Sequence, residues 1–217
     1  MKEEPYKVIY TNGIAIVEEK KSKFIAITKP ILAQEDADAI LSEIKKEYWD
    51  ARHHCYAYVL GDRNETAKCS DDGEPSQTAG KPILDVLYNA QIHNAMIVVV
   101  RYFGGTLLGT GGLVRAYQKA ASEGLSKSTI LELHRGRKAN IDIDYTALGK
   151  IQYILSQNNC IILDTVYEGE VQLKILIPED MVKITEKKIL DQTGGKSHIS
   201  WDENVRYGYF EKKIKIF

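Results

Sequence analysis

The sequence lacks long hydrophobic runs, and it contains few cysteines. No apolar run approaches the roughly 20 residues of a membrane-spanning helix, so we expect no membrane partner. The opening segment "MKEEPYKVIY" lacks the basic region and the apolar stretch of a secretory signal. The three cysteines are odd in number and form no C-x-x-C motif, which favours a reduced protein. These absences together predict a cytoplasmic globular protein.

Net charge of one sign and internal repeats are also missing. A formal net charge of −1 argues against a strongly basic surface for nucleic acid. The net charge does not exclude a local basic site, because affinity for phosphate depends on where the charges lie. No segment recurs with a period of about 20–50 residues, and there is no low-complexity tract. A length of 217 residues fits one large or two small domains.

The first half of the chain alternates β-forming segments with helical patterns. Asn12-Gly13 lies between two β-forming segments and suits a two-residue hairpin turn, in which both positions need positive φ. A third strand, a helix, a strand at "HHCYAYVLG" and a loop follow. Pro82 suits the first turn of the next helix, and "AMIVVVRYFG" reads as a strand covered on both faces. The predicted order is three strands followed by α-β-α-β-α.

The second half has a different pattern of strands and helices. Its predicted order, β-α-β-β-α-β, is typical of a ferredoxin-like unit, and Gly194-Gly195 is expected to cap its second helix. The segment "ELHRGRKAN" is short and polar and contains Gly136, so we place a domain boundary near residues 132–138. The sequence therefore predicts an α+β protein with domains at residues 1–132 and 138–217.

The segment "RYFGGTLLGTGGLVRAY", residues 101–117, is the main candidate for a binding site. Glycine permits positive φ and close approach of another group to the backbone. The first amides of the following helix have no partner within the helix, and the helix dipole adds positive charge there. Together these features favour an anion, commonly phosphate. The candidate anion-binding or nucleic-acid-binding residues are Arg101, Tyr102, Gly104, Gly105, Gly109, Thr110, Gly111, Gly112 and Arg115.

Two details of this glycine segment limit the interpretation. Arg115 is expected in the first turn, where a cation opposes the helix dipole unless it helps to hold an anion. Known phosphate motifs do not fit, because Thr110 stands where a P-loop has lysine and "GTGGLV" lacks the third glycine of G-x-G-x-x-G. An alternative is a glycine-lined turn that packs tightly against neighbouring backbone.

The segment "SDDGEPS" forms a second candidate, an acidic loop. Its carboxylates could hold Mg²⁺ or act as acid and base, although the spacing is not that of a calcium loop. A solvated turn whose Asp and Ser side chains cap backbone amides is an alternative. In a third interpretation, Mg²⁺ bridges this loop to a phosphate on the glycine segment. The candidate residues are Ser70, Asp71, Asp72, Gly73 and Glu74.

Histidines and lysines supply further candidates. His53 and Cys55 share one face of a predicted strand and His54 lies on the other, which is half a zinc site at best, so no metal is expected there. Lys21 and Lys23 could contact phosphate or protect a sheet edge. Lys81 is a further candidate cation. Trp49 and Trp201 are expected in the core or at an interface before they are expected to stack on bases.

Two long phrases, "CSDDGEPSQTAGKPIL" and "VVVRYFGGTLLGTGGLVRAY", resemble the IMPACT family, including its bacterial YigZ-type members. "KKSKFIA" and "HHCYAYVLG" fit the same resemblance. Gln77 stands where the family pattern has glycine, which leaves the backbone path of this loop open. The resemblance covers residue 1 to about residue 130, and the remainder resembles the small C-terminal domain of bacterial members.

The resemblance implies a fold like ribosomal protein S5 domain 2 for residues 1–132. It also implies a ferredoxin-like domain, similar to one in elongation factor G, for residues 138–217. Eukaryotic relatives act in translational control, where they compete for the activator of a kinase that senses uncharged tRNA. Fold alone does not assign a function to the bacterial members.

Three hypotheses follow from the residues and the resemblance. The first is a non-enzymatic protein that binds RNA or ribosome-associated components, with phosphates held by the glycine segment. The second is a protein-interaction regulator of translation. The third is an enzyme that uses the acidic loop, with Mg²⁺, on a phosphorylated substrate. The first two need no cofactor, and nothing in the sequence implies sequence-specific DNA recognition.

Overall fold

The computed structural model describes residues 6–217, which form an α+β structure, as the sequence predicts. Contacts divide the chain into two compact units, Tyr6–Glu132 and Leu133–Phe217. None of the helices in the described residues is both long enough and apolar enough to cross a membrane.

The first unit contains a five-stranded sheet with the strand order β2-β3-β7-β4-β5. Every neighbouring pair in this sheet is antiparallel. Strand β1 lies outside it, parallel to β6 and beside the start of β8. The elements are β1 (Tyr6–Thr11), β2 (Ile14–Glu19), β3 (Ser22–Pro30), α1 (Gln34–Glu47), β4 (His53–Leu60), β5 (Thr66–Ser70), α2 (Gly80–Asn89), β6 (Ile92–His93), β7 (Ala95–Tyr102), α3 (Thr110–Ser126) and β8 (Thr129–Ile143).

Strand β7 is the centre of the first unit. Its side chains alternate between two hydrophobic clusters, because successive residues of a strand face opposite sides of the sheet. Ile97 and Val99 pack with α2 and α3 on one side, whereas Val98 and Val100 pack with α1 on the other. The continuous apolar run therefore belongs to a strand that is covered on both faces, as predicted.

The predicted hairpin at Asn12-Gly13 is wrong. β1 pairs with β6, and β2 pairs with β3, so the two strands beside Asn12-Gly13 do not form a hairpin. The hairpin turn lies instead at Lys20 and Lys21, whose φ angles are +46° and +66°. A two-residue turn with positive φ at both positions matches the twist of the strands, although lysine rarely signals it in a sequence.

Gly13 has a different role from the one its sequence context suggests. Its φ is not left-handed, and a Cβ atom built on it would lie 2.2 Å from the carbonyl oxygen of Gly124. Its N–H donates to Thr28 Oγ1 at 2.7 Å, and Thr28 Oγ1 lies 2.7 Å from Ser128 Oγ. Glycine is therefore needed here because the end of α3 approaches the backbone closely.

The second unit has the strand order β11-β8-β10-β9, with every neighbouring pair antiparallel. This order and the connection β-α-β-β-α-β are those of a ferredoxin-like unit. A short strand extends the sheet beside β11. The remaining elements are α4 (Leu148–Gln157), β9 (Ile161–Tyr167), β10 (Val171–Pro178), a 3₁₀ turn (Glu179–Met181), α5 (Val182–Thr193), β11 (His198–Phe210) and β12 (Lys213–Ile216).

The polar segment at residues 132–138 is not a loop. It lies inside β8, and the division between the two units falls between Glu132 and Leu133. Leu131 and Leu133 are buried on this strand, and burial recurs at Gly136 and Ala139. Gly136 fits because a Cβ atom there would lie 2.8 Å from Leu176 Cδ1. This polar segment pairs with β11 on one side and with β10 on the other, so it belongs to an inner strand of the second sheet.

We expect Gly13→Ala to destabilise the protein by about 2 kcal/mol or more, because the added methyl group overlaps the carbonyl oxygen of Gly124. Gly111→Ala is a control in the same unit. Its added Cβ would meet only the flexible end of Arg115, at 3.6 Å, so we expect stability unchanged or raised by up to about 1 kcal/mol. Urea unfolding followed by circular dichroism measures both, and equal midpoints for the two variants would contradict the close packing at Gly13.

Candidate functional site

Most of the predicted site residues meet at one end of the five-stranded sheet. β3 and β4 begin there and β7 ends there, because Lys23 pairs with Tyr102 and His53 pairs with Arg101. β5 also ends there, with Ser70 opposite Tyr56. The β2–β3 turn, the acidic loop and the glycine segment therefore all leave the sheet at the same end.

Asp71 of the acidic loop holds the start of α2. Its carboxylate accepts hydrogen bonds from the backbone N–H groups of Gln77, Ala79 and Gly80 at 2.8, 3.0 and 2.9 Å. Gln77 has φ +63°, a conformation that favours glycine, and the bond from its amide to Asp71 holds it there. Asp71 therefore acts as a cap for backbone amides, which was one of the interpretations of the sequence.

Asp72 fixes the loop to the start of β4. Its Oδ2 accepts from the His54 N–H at 2.7 Å, and its Oδ1 lies 3.3 Å from Lys45 Nζ. Its own N–H donates to Ser70 Oγ at 3.2 Å. The His53 Nδ1–H donates to the Asp72 carbonyl oxygen at 2.9 Å, because a carbonyl can only accept. Gly73, with φ +87°, completes the turn.

Glu74 is buried, and its carboxylate is shared by two donors. Oε1 accepts from Arg101 Nη1 at 2.6 Å and from the Tyr117 hydroxyl at 2.8 Å, and only 4% of the Glu74 side chain is exposed. His53 Nε2 lies 4.0 Å away. Burial removes water from both charges, which costs free energy. The attraction between them offsets that cost only when the two groups are in close contact and make further hydrogen bonds.

Arg101 consequently does not reach the glycine segment's open amides. Its guanidinium lies over the rings of Phe24 and Phe103, at 5.4 and 5.6 Å, and is buried with Glu74. The sequence interpretation of Arg101 as a surface phosphate ligand overlooked this partner. Tyr102 is also engaged, since its hydroxyl donates to Asp50 Oδ1 at 2.7 Å, a bond that raises its pKa to about 12.

Cys55 is not a reactive thiol in this arrangement. The residue is fully buried, and its Sγ lies 3.0 Å from the Asp71 carbonyl oxygen and 3.3 Å from the Tyr117 hydroxyl. Burial raises the pKa of the Cys55 thiol to about 12, and burial likewise raises the pKa of Tyr117. Since the thiolate is the nucleophile and the metal ligand, a protonated Cys55 supports neither role.

The acidic loop offers no free set of metal ligands. Among residues 6–217, no three His, Cys, Asp or Glu side chains are grouped as a metal site would require. Asp71 and Glu74 each accept bonds from N–H or O–H donors on several elements, and Asp72 does the same on β4. The carboxylates therefore organise the loop.

The glycines of residues 104–112 fall into two kinds. Gly104 is a packing glycine, because its N–H donates to Ser22 Oγ at 3.1 Å and a Cβ there would lie 2.0 Å from the carbonyl carbon of Lys21. Gly105 and Gly109 have φ of +82° and +71°, with no atom within 4 Å of an added Cβ. These two keep the segment open.

The start of α3 presents free amides. The helix begins at Thr110, and its first hydrogen bond runs from the Leu113 N–H to the Gly109 carbonyl oxygen at 2.9 Å. No side chain caps it, so the N–H groups of Thr110, Gly111 and Gly112 precede the internal bonding. Arg115 is the sixth residue of the helix and lies in its second turn, so the expected conflict with the helix dipole does not arise.

A cleft of about 250 Å³ is lined by Gly112, at the start of α3, together with residues of β2, the β2–β3 turn and α3. Lys20, Arg115 and Lys119 bring cationic side chains to it. All three are exposed, and none makes an ion pair or a side-chain hydrogen bond with another described residue. The remaining lining residues are Val17, Glu19, Leu108, Gly112 and Ala116.

One of these cations, Lys119, was missed by the sequence analysis, whereas Lys20 belongs to the basic segment "KKSK", residues 20–23, which was considered as a phosphate contact. Lys20 is adjacent to the candidate Lys21, and Lys119 follows Arg115 by four residues on one helical face, a spacing that could have indicated it. Lys21 occupies the β2–β3 turn and Lys23 is half-buried on β3. Lys81 lies on α2, where it pairs with Asp85.

Two family models match the chain. The Impact N-terminal domain matches residues 20–125, and a domain of unknown function (DUF1949) matches residues 141–196. The crystal structure of a hypothetical protein superposes with a TM-score of 0.59 at 33% identity, over 92% of this chain and 98% of that one.

Two bacterial relatives cover most of the chain, and a eukaryotic relative covers less than half of it. IMPACT family member YvyE of Bacillus subtilis is 37% identical over 90% of this chain and 88% of its own length. IMPACT family member YigZ of Escherichia coli is 37% identical over 84% of this chain and 91% of its own. Protein IMPACT of Homo sapiens is 32% identical over 45% of this chain and 31% of its own. The chain therefore belongs to the IMPACT family, which includes YvyE and YigZ.

Proposed function

We propose that this chain is a non-enzymatic binding protein linked to translation, and that it holds backbone phosphates of RNA in the cleft beside α3. The observation that supports the proposal is the grouping of Lys20, Arg115 and Lys119 around a cleft that Gly112, at the uncapped start of α3, also lines, with no acidic side chain bound to these cations. The link to translation rests on the resemblance to eukaryotic IMPACT proteins, which are 32% identical over 45% of this chain.

Phosphate oxygens suit this cleft better than a carboxylate-rich or apolar ligand. Unpaired cations attract anions, and free helix amides add hydrogen-bond donors in the same place. Glu19 is the only acidic residue among the lining residues, against three cations. Contacts of this kind are independent of base sequence, so they fit RNA of varied sequence.

A protein partner is the second candidate. Leu107, in the open part of the glycine segment, is 83% exposed, and Phe103 is 47% exposed. Exposed apolar side chains beside a charged rim are typical of protein interfaces. A ribosome-associated protein could therefore contact the same segment, and such binding would persist after nuclease treatment.

The third hypothesis, a Mg²⁺-dependent enzyme, has less support from the geometry. Asp71 holds three backbone amides and Glu74 neutralises a buried guanidinium. Either carboxylate would have to abandon those donors to bind a metal ion, leaving buried polar groups unpaired.

Binding of a fluorescent single-stranded RNA should weaken steeply with salt. Three phosphate contacts give a slope of log affinity against log salt near −2, or roughly 15-fold between 50 and 200 mM salt. We expect Arg115→Ala to reduce the steepness by about 0.7, because one contact is lost. Fluorescence anisotropy over a salt series measures both quantities.

Lys127→Ala is the matched control for Arg115→Ala. Lys127 is an exposed cation at the opposite end of α3, so its removal changes net charge equally without touching the cleft. We expect this variant to keep the slope of the unmodified protein. The proposal is wrong if RNA does not bind at low salt, or if both variants change the slope alike.

Glu74→Gln should lower the free energy of unfolding by about 3 kcal/mol, because it leaves the buried charge of Arg101 uncompensated. Glu43→Gln, at an exposed position on α1, should be close to neutral. Thermal unfolding measures both.

We also expect Mg²⁺ to leave the unfolding midpoint unchanged, and a Mg²⁺-dependent increase that Asp72→Asn abolishes would instead favour the enzyme hypothesis.

A further inference from the structure

The end of the sheet that carries the cleft also carries two exposed aromatic side chains. Trp49, just after α1, is 80% exposed, and Phe103, just after β7, is 47% exposed. Trp49 therefore lies outside the core, which was one of the two places expected for it, and the other expectation, an interface, stays a prediction. Large aromatic side chains are usually well buried. The exposure of two of them at a charged surface therefore indicates a binding role.

A hydrogen bond joins the two backbone segments that carry these aromatic side chains. The Tyr102 hydroxyl donates to Asp50 Oδ1 at 2.7 Å, and Trp49 and Phe103 are the chain neighbours of these bonded residues. The segment after α1 is thus fixed against the end of β7. Each exposed aromatic side chain is therefore attached to a backbone segment that this bond anchors.

Phe103 is also prepared for stacking by its environment. The guanidinium of Arg101 lies 5.6 Å from the centre of its ring, and Arg101 is itself held by Glu74. This contact fixes the ring while nearly half of the side chain stays exposed. A base that stacks on Phe103 would need little ordering of the protein, which favours binding.

The aromatic groups connect to the cleft through neighbouring residues. Phe103 is followed by Gly104, whose N–H donates to Ser22 Oγ at 3.1 Å and whose backbone packs on Lys21. Lys20, the next residue of that turn, lines the cleft with Arg115. Phe103 therefore adjoins the β2–β3 turn, which contributes Lys20 to the cleft at the start of α3.

We propose that the RNA at this site is single-stranded, with its phosphates in the cleft and its bases stacked on Phe103 and Trp49. This proposal rests on the proposed function for the phosphate contacts. In a duplex the base faces are covered by neighbouring bases, and proteins read its shape and backbone. A basic groove with aromatic side chains alongside is the arrangement that binds single strands.

Fluorescence anisotropy of the full chain with a labelled oligouridine of about 12 nucleotides tests the proposal against a duplex of the same length. We expect the single strand to bind more tightly. Phe103→Ala and Trp49→Ala should each weaken it at least about fivefold and leave the salt slope unchanged, since stacking is not ionic. Tyr153→Ala, at a 66% exposed aromatic residue on α4, is the matched control and should have no effect.

Intrinsic fluorescence gives an independent measurement. Oligouridine should quench the emission of Trp49, and Trp49→Phe should remove that quenching while Trp201 continues to emit. Salt-sensitive binding with equal affinity for the duplex, or with unchanged affinity in both alanine variants, would overturn the single-strand proposal and leave the phosphate site intact. Absence of salt-sensitive binding to either RNA would overturn both.

Discussion

The ion pair between Glu74 and Arg101 is the interaction on which this end of the molecule depends. It joins the acidic loop to the central strand β7, and the Tyr117 hydroxyl adds α3 to the same carboxylate. Both charges are buried, so each is stabilised by the other. If either charge bound a ligand instead, its partner would stay buried without a counter-charge, and the free energy of unfolding would fall. The pair therefore fixes three elements in place and leaves ligand binding to residues outside it.

This arrangement separates support from binding. The side chains of the acidic loop make hydrogen bonds within the protein. Asp71 accepts one from the start of α2, and Asp72 accepts one from β4. The cations at the start of α3 make no such bonds, and the left-handed glycines Gly105 and Gly109 keep the segment open. A rigid frame beneath an open charged surface is what a preorganised binding site requires.

The sequence predicted what depends on local pattern. The continuous apolar run of β7, the ferredoxin-like order of the second unit and the glycine junction before α3 all follow from periodicity and composition. It could not predict pairings between distant residues. Nothing near Arg101 shows that Glu74 neutralises it, and nothing near Asn12 shows that β1 and β2 pair with other strands. Such partners are chosen by tertiary packing, which overrides local turn preference.

The same reasoning explains how the proposed phosphate site is compatible with a net charge of −1. At physiological salt, exposed charges more than about 8 Å apart are largely screened from each other. A phosphate in the cleft therefore responds chiefly to Lys20, Arg115, Lys119 and Glu19, and hardly to acidic residues elsewhere. Internal pairing of the acidic loop strengthens this effect, because Glu74 is neutralised by Arg101. Overall charge thus has little bearing on this site, and the unpaired cations have most.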